Sequence, residues 1–353
     1  MKKIFSTALL LSLILSALVS LTGCQGETQE KVLSKTVSYV YFNTASQIFA
    51  YGDVSEGDFN EYAKITEEAL EYYHKLFDIY YEYAGVNNIK TINRNAGKEP
   101  VKVDRELVDF LVYCKELYTL TKGKTNIMLG SVLEIWHDAR EEANGDFGYL
   151  RPEYLPTEEE LSEANAHTSI DSLVINEEEC TVYISDKYAS IDVGAIAKGY
   201  AVERIYGKLK GIGADSVFVN VGGNIRTVGL KPDGKTWSTG IRNPDKEAEN
   251  NVKCWISLGE SSIVTSGDYE RFFISDGQKY HHIIDPVTLM PADYFSSVTV
   301  VTPNSALADA LSTALFCMSY EEGALLVGGL ENVEAVWIFK DGTLGATDGI
   351  NMQ

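Results

Sequence analysis

Four short stretches of this chain hold residue types that chemistry needs. The first is Ser190-Ile191-Asp192-Val193-Gly194-Ala195-Ile196-Ala197-Lys198-Gly199-Tyr200, an expected strand that ends in an acid, turns at a glycine and starts a helix. Such a junction presents a carboxylate and free backbone N–H groups to a ligand, and Lys198 could meet a phosphate there. Taken alone it reads equally as a strand–helix turn with solvated Asp and Lys. The second is Asn220-Val221-Gly222-Gly223-Asn224, where a glycine pair at a strand end permits positive φ and close backbone approach. A structural turn is the simpler account of it. The third runs from Val264-Thr265-Ser266-Gly267-Asp268 through Arg271 to Tyr280-His281-His282-Ile283-Ile284-Asp285-Pro286. Two of the chain's five histidines are adjacent here, and strand neighbours face opposite ways, so one of the pair can face a given site. The fourth is Ala308-Asp309-Ala310-Leu311-Ser312-Thr313-Ala314. On a helix Asp309 and Thr313 share a face. A carboxylate with hydroxyl oxygens suits a hard cation such as Mg²⁺, whose remaining positions go to water and phosphate oxygens. Without further context, a capping turn with core-facing Ala and Leu explains this stretch as well. No P-loop, G-x-S-x-G or H-E-x-x-H pattern occurs.

The elements that must position these stretches form a mixed α and β chain, helix-rich early and strand-rich late. The spacing predicts a strand pair over 39–51 and a helix over 58–83 with Asp58 as N-cap. Residues 87–100 read as a loop, 104–121 as a helix, 123–130 as a loop and 131–143 as a helix. An acidic helix opens at Glu158-Glu159-Glu160, where the helix dipole favours it. Beyond Asp171 strands dominate, interrupted by helices over 195–210 and 305–318. A turn at Ser275-Asp276-Gly277-Gln278 joins two strands. The fold class is α+β, mixed helices with a largely antiparallel sheet.

The chain has 353 residues, enough for two domains or one large one, and 45% hydrophobic against 23% charged residues marks a globular protein. Asp and Glu number 51 against 30 Lys and Arg, a formal charge of −21. A chain this acidic is a poor binder of nucleic acid, and an anionic substrate would need a metal cation or a local basic group. At the N-terminus, Met1-Lys2-Lys3 and an apolar run end at Leu21-Thr22-Gly23-Cys24, which resembles a bacterial lipobox. Residues 1–23 then read as a lipoprotein signal peptide, with lipid on Cys24 holding the protein at the extracytoplasmic face of the cell membrane. Residues 24–36 read as a polar tether and 37–350 as the folded domain. Cys114, Cys180, Cys254 and Cys317 are widely spaced, with no C-x-x-C and no zinc pattern; an even count outside the cytoplasm permits disulfides, and buried free thiols are the simpler reading.

In this order, the four stretches resemble the ApbE family of FAD:protein FMN transferases. Asp192-Val193-Gly194-Ala195-Ile196-Ala197-Lys198-Gly199 is similar to its D-x-G-[AG]-x-[AG]-K-G signature. Asn220–Asn224, Thr265–Asp268, His282–Pro286, and Ala308-Asp309 with Thr313 are similar to its later blocks. The resemblance implies an active site in a cleft between two subdomains. It also implies Mg²⁺, FAD as substrate, AMP as product, and an extracytoplasmic flavoprotein that accepts FMN on a Ser or Thr. Carried over by position, Asp192 and Lys198 would contact FAD, and Ile283 would line the flavin or ribityl site. The Ala195 carbonyl with Asp309 and Thr313 would bind Mg²⁺, and His282 would be the base. The family's M-G-T corresponds to Phe42-Asn43-Thr44, its aromatic position falls near Tyr80 or Tyr81, and its G-A-F-D-P loop reads Gly123-Lys124-Thr125-Asn126-Ile127. Phe42, Tyr80, Lys124, Thr125 and Asn126 are thereby further cofactor-side positions. The usual glycine of D-P-x-T-G is Leu289 here.

Two other functions fit parts of the sequence: hydrolysis of FAD to free FMN and AMP, and a non-catalytic lipoprotein that binds flavin. A base beside a cation site favours catalysis, because a carrier needs no base. A scaffold role for the Tyr-rich helix is the weakest reading.

Overall fold

The computed structural model describes residues 34–352. Strands β1 (Ser34–Tyr41) and β2 (Thr44–Tyr51) form the first hairpin. Its turn residues Phe42 and Asn43 both have positive φ, 54° and 52°, the type I′ geometry whose twist matches paired strands. β1 begins inside the segment expected as a tether, so the folded part starts at or before Ser34 rather than at 37. The expected signal peptide, Cys24 and the rest of the tether lie outside the described residues.

Helix α1 (Glu56–Phe77) is capped by Ser55, whose side chain accepts from the Asp58 N–H at 3.0 Å. Asp58, the expected N-cap, is the third helical residue. A hydroxyl one turn earlier reaches the free amide first. The helix stops before Asp78, whose carboxylate takes the N–H groups of Tyr80 and Tyr81 and the Tyr83 hydroxyl. That turns the chain and sets Tyr80 at the surface. α1 buries Tyr73 and Phe77 in the core, so its aromatic face serves packing. The segment expected as a loop over 87–100 contains a short helix, α2 (Ile89–Arg94), held by a reciprocal Asn88–Thr91 capping box. Then come β3 (Val101–Lys102), α3 (Arg105–Leu120) with Asp104 as N-cap, α4 (Gly130–Glu142) and α5 (Glu158–Asn165). β4 (Leu173–Asn176) and β5 (Thr181–Ile184) complete a small sheet of order β3-β5-β4.

Helix α6 (Ala197–Gly211) leads into the strand-rich half: β6 (Val217–Val221), β7 (Asn224–Val228), β8 (Trp237–Arg242), β9 (Val252–Leu258), β10 (Ser262–Gly267), β11 (Phe272–Ser275), β12 (Gln278–His281) and β13 (Phe295–Thr302). α7 (Ser305–Phe316), α8 (Tyr320–Gly328), β14 (Glu334–Phe339) and β15 (Leu344–Ala346) follow. The main sheet has the order β1-β2-β6-β7-β10-β13-β14-β15, with every pair antiparallel. The α+β class with antiparallel sheet is thus the one the sequence pattern indicates.

Ten of the twelve residues of α7 are buried. A helix apolar on all sides belongs inside, and α7 lies between α6 and strands β10 and β13. The hairpin β8–β9 supplies Trp237, Ile241 and Ile256 to a core shared with Ile263, Val336 and Ile338 of the main sheet. The elements form one unit. Within that unit the buried side chains gather in separate cores. One surrounds α1, α3 and α6, and another α7 and β13. Among the described residues no helix is long and apolar enough to cross a membrane.

Candidate functional site

The crossing of α6 and α7 begins at Gly199. A Cβ there would lie 2.4 Å from the Ser305 carbonyl oxygen and 2.5 Å from Asp309 Cβ, so only glycine lets the helices meet this closely. That contact brings the Gly199 N–H to Asp309 Oδ2 at 2.8 Å, with Lys198 Nζ 3.6 Å from the same oxygen. The buried Asn224 side chain, its amide nitrogen turned to Asp309, donates to both carboxylate oxygens at 3.2 and 3.3 Å. Burial pushes the Asp309 carboxyl up, against Lys198 and the Gly199 N–H, which favour the charged form. A cation at Asp309 would complete the compensation.

The neutral oxygens beside it suit such a cation. Thr313 sits one turn further along α7, its hydroxyl 3.4 Å from Ser266 Oγ. Ser266 is 2.8 Å from Ser312, which donates to the Asp309 carbonyl. In a regular helix the Ala195 carbonyl would take the Gly199 N–H four residues on. That N–H goes to Asp309, and among the described residues the Ala195 carbonyl accepts no hydrogen bond. One carboxylate, one hydroxyl and one free carbonyl fit a hard cation that keeps several waters or phosphate oxygens. No described group of three or more His, Cys, Asp or Glu could hold a metal, so this oxygen set is the one offered.

The second part of the site is carried by the β11–β12 hairpin. β12 ends at His281, and His282 follows with its N–H on the Arg271 carbonyl at 3.1 Å. His282 Nδ1 lies 3.2 Å from that carbonyl oxygen. A carbonyl only accepts, so Nδ1 carries the proton and Nε2 keeps its lone pair. His282 is an exposed residue at the wall of the cleft. Desolvation by surrounding protein, then the Arg271 guanidinium, His281 and Lys198, hold its pKa below the ordinary histidine range. At neutral pH it is an uncharged imidazole with a free acceptor nitrogen. The His281 ring is turned into the core, edge-on to Phe316. Its Nε2 donates to Ala292 O at 2.8 Å, its Nδ1 accepts from the Ile283 N–H, and burial lowers its pKa to about 4.

A third wall comes from Asp192, Tyr80 and α4. The Asp192 N–H binds Ile127 O, and its Oδ1 accepts the Gly194 N–H at 2.8 Å. Its Oδ2 stands 3.9 Å from His137 Nε2, and Tyr80 OH is 3.3 Å from His137 Nδ1. His137, Arg140, Arg271 and His282 line one cleft. Burial first, then Arg140 and Arg271, lower the His137 pKa against the pull of Asp192. Phe42 sits in the β1–β2 turn with its ring edge-on to His74.

Four of the sequence candidates make contacts within the protein. Lys124 Nζ pairs with the buried Asp285 at 2.9 Å. Thr125 is buried and donates to Ala310 O at 2.8 Å. Asn126 donates to Thr168 O and accepts from the Met128 N–H. Together they tie the 123–127 loop to α7, to the Asp285 turn and to Thr168. Ile283 is 5% exposed and packs in the α7 core with Val264 and Ala292. In the Asp285 turn, Leu289 takes the left-handed conformation, φ 61°, that the family's glycine would adopt freely. Its carbonyl accepts from Trp136 Nε1 at 2.9 Å.

His137, Arg271 and Asn224 belong to the site and were not among the residues singled out from sequence as contacts. Asn224 and Arg271 lie within stretches already chosen for their composition. His137 follows Trp136 on a helix with no pattern around it, and only the fold brings it to Asp192.

Comparison with known proteins bears on all of this. A family model described as "ApbE family" matches residues 42–337. An FAD:protein FMN transferase of Haemophilus influenzae is 30% identical over 346 residues, 96% of this chain and 94% of that protein. One of Treponema pallidum is 34% identical over 276 residues, 74% of this chain and 73% of that protein. Among solved structures, the ApbE protein of Thermotoga maritima superposes with a TM-score of 0.77 at 27% identity, covering 90% of this chain and 97% of that one. The flavin transferase ApbE of Vibrio cholerae gives a TM-score of 0.74 at 27% identity, with the same coverage.

Proposed function

The chain belongs to the ApbE family, and from that membership and the geometry of its cleft we propose that it is an enzyme transferring FMN from FAD to a Ser or Thr hydroxyl of an acceptor protein, with AMP released. The observation that carries this reading is His282. Its tautomer is set by the Arg271 carbonyl, and its Nε2 is left as a free acceptor. The acceptor hydroxyl gives its proton to that nitrogen as its oxygen bonds to the phosphorus on the riboflavin side. The bond from that phosphorus to the bridging oxygen breaks, and AMP carries the oxygen away. A neutral imidazole is suited to this near pH 7.

The other groups bind and orient. Lys198 offers a positive charge at the start of α6, and Asp192, fixed by the Gly194 N–H, offers a rigid carboxylate beside Tyr80 and His137. Asp309, Thr313 and the Ala195 carbonyl would hold Mg²⁺, which supplies a Lewis acid for the diphosphate. In-line positioning and charge neutralisation dominate transfers at phosphorus, so a preorganised cleft needs no strong nucleophile. The Leu21-Thr22-Gly23-Cys24 sequence supports a lipid anchor at Cys24 and an extracytoplasmic flavoprotein as acceptor.

The test is incubation with FAD, Mg²⁺ and an extracytoplasmic flavoprotein, scored by in-gel flavin fluorescence and by AMP release. FMN bound to the acceptor with AMP in equal amount supports the reading. AMP with only free FMN would make the protein a hydrolase, and FAD binding without AMP would make it a carrier. Replacing Cys24 with Ala should move the protein from the membrane fraction to the soluble one. Labelled lipid on that variant would remove the anchor.

A further inference from the structure

Arg271 immediately precedes β11 and lines the cleft with His282. Its guanidinium makes one long hydrogen bond, from Nη2 to the Asn43 carbonyl at 3.4 Å. Five N–H donors in a planar fork are thus almost unused. Its neighbour Glu270 is taken by Arg242 at 2.8 Å. Among the described residues Arg271 forms no ion pair, in a chain where acids outnumber bases 51 to 30. The other cations nearby are partly engaged, Arg140 with Asp146 and Lys198 with Asp309, each at 3.6 Å.

A guanidinium without a carboxylate, at the wall of a cleft in an acidic protein, is built to meet an anion from outside. Its fork matches two oxygens of one phosphate better than an ammonium does. The backbone of the same residue holds His282, so the fork and the proposed base are fixed to each other across one hairpin. We infer that Arg271 anchors the diphosphate of the dinucleotide substrate, a contact made from the hairpin and independent of the Asp309 cation site. On binding, the guanidinium exchanges a weak bond to a neutral carbonyl for charge-assisted bonds to phosphate oxygens. This rests on the dinucleotide reading above.

The experiment separates phosphate recognition from shape. The full chain and its Arg271→Met and Arg271→Lys variants are titrated with FAD, riboflavin and ADP, by flavin fluorescence and calorimetry. Charge-assisted hydrogen bonds of this kind correspond to about 10- to 100-fold in affinity. Arg271→Met should weaken FAD and ADP by about that factor and leave riboflavin within about twofold. Arg271→Lys should fall between. Unchanged riboflavin binding also shows that the variant is folded. Equal losses for FAD and riboflavin, or no loss for either, would overturn the anchor. If the split is seen and no FMN reaches a protein, the anchor stands and the transferase reading falls. Transfer with undiminished FAD affinity in Arg271→Met leaves the reading and removes the anchor.

Discussion

Replacing Gly199 with Ala tests whether the α6–α7 contact makes the site. The added methyl would stand 2.4 Å from the Ser305 carbonyl oxygen and 2.5 Å from Asp309 Cβ. Neither neighbour is the free end of a flexible side chain, so the helices must separate by close to an ångström. Overpacking of this kind costs about 1–3 kcal/mol. Alanine returns up to about 1 kcal/mol through helix propensity, for a net loss of about 0–3 kcal/mol. In a protein of this size that lowers Tm by a few degrees at most. The effect on chemistry is larger. Separation pulls the Gly199 N–H from Asp309 and shifts that carboxylate against Ala195 and Lys198, and a displacement of about 1 Å can cost about 10²-fold in rate. Gly207 in the same helix is the control, because a Cβ there meets nothing within 4 Å. Gly207→Ala should be neutral or slightly stabilising, with full activity. Thermal melts and FMN transfer at varied Mg²⁺ concentration measure both. A Gly199→Ala protein with wild-type Tm, rate and Mg²⁺ dependence would refute the contact as the organiser of the site.

Asp309→Ala should abolish the Mg²⁺-dependent rate, whereas high Mg²⁺ should partly rescue Thr313→Ala, since water can replace a neutral hydroxyl. Equal metal response in wild type and Asp309→Ala would count against the cation site. His282→Asn should keep FAD affinity and lose transfer by about 10²–10⁴-fold. The acid limb of the wild-type rate should lie below an ordinary histidine, because the neutral form is lost only as pH falls through a lowered pKa. His281, held at about 4 when folded against about 6.5 when unfolded, contributes stability in full above the unfolded value. That contribution drains as pH falls from 6.5 towards 4, so His281→Gln should show a flatter dependence of Tm on pH in that window. Lys124→Met leaves Asp285 buried and unpaired, which should cost about 3–5 kcal/mol in denaturant unfolding. Adding Asp285→Asn should recover much of it, and no recovery would mean that the loop is held by something else.

Local pattern was enough for several parts of this protein. The pairing of Asp309 with Thr313 on one helical face follows from 3.6 residues per turn, whereas His282 falls just past the end of β12, so strand alternation does not account for its difference from His281. The antiparallel sheet and most helices follow from the same short-range periods. These are properties of neighbours in the chain, and the residues themselves state them. Side-chain capping already strains that legibility. Ser55 displaces Asp58 as N-cap, and an Asn88–Thr91 exchange makes a helix where the composition reads as loop. The tertiary structure alone decided which polar groups remain free. Lys124, Thr125 and Asn126 look available in sequence, yet their partners lie 161, 185 and 42 residues away and occupy them. Asp309 meets the Gly199 N–H across 110 residues, which leaves the Ala195 carbonyl open. His137 and Arg271 enter the cleft only because separate elements converge on it. A side chain's type sets the chemistry it can do. Whether that chemistry is left for a ligand depends on partners that the fold brings from far along the chain, and no local period encodes them.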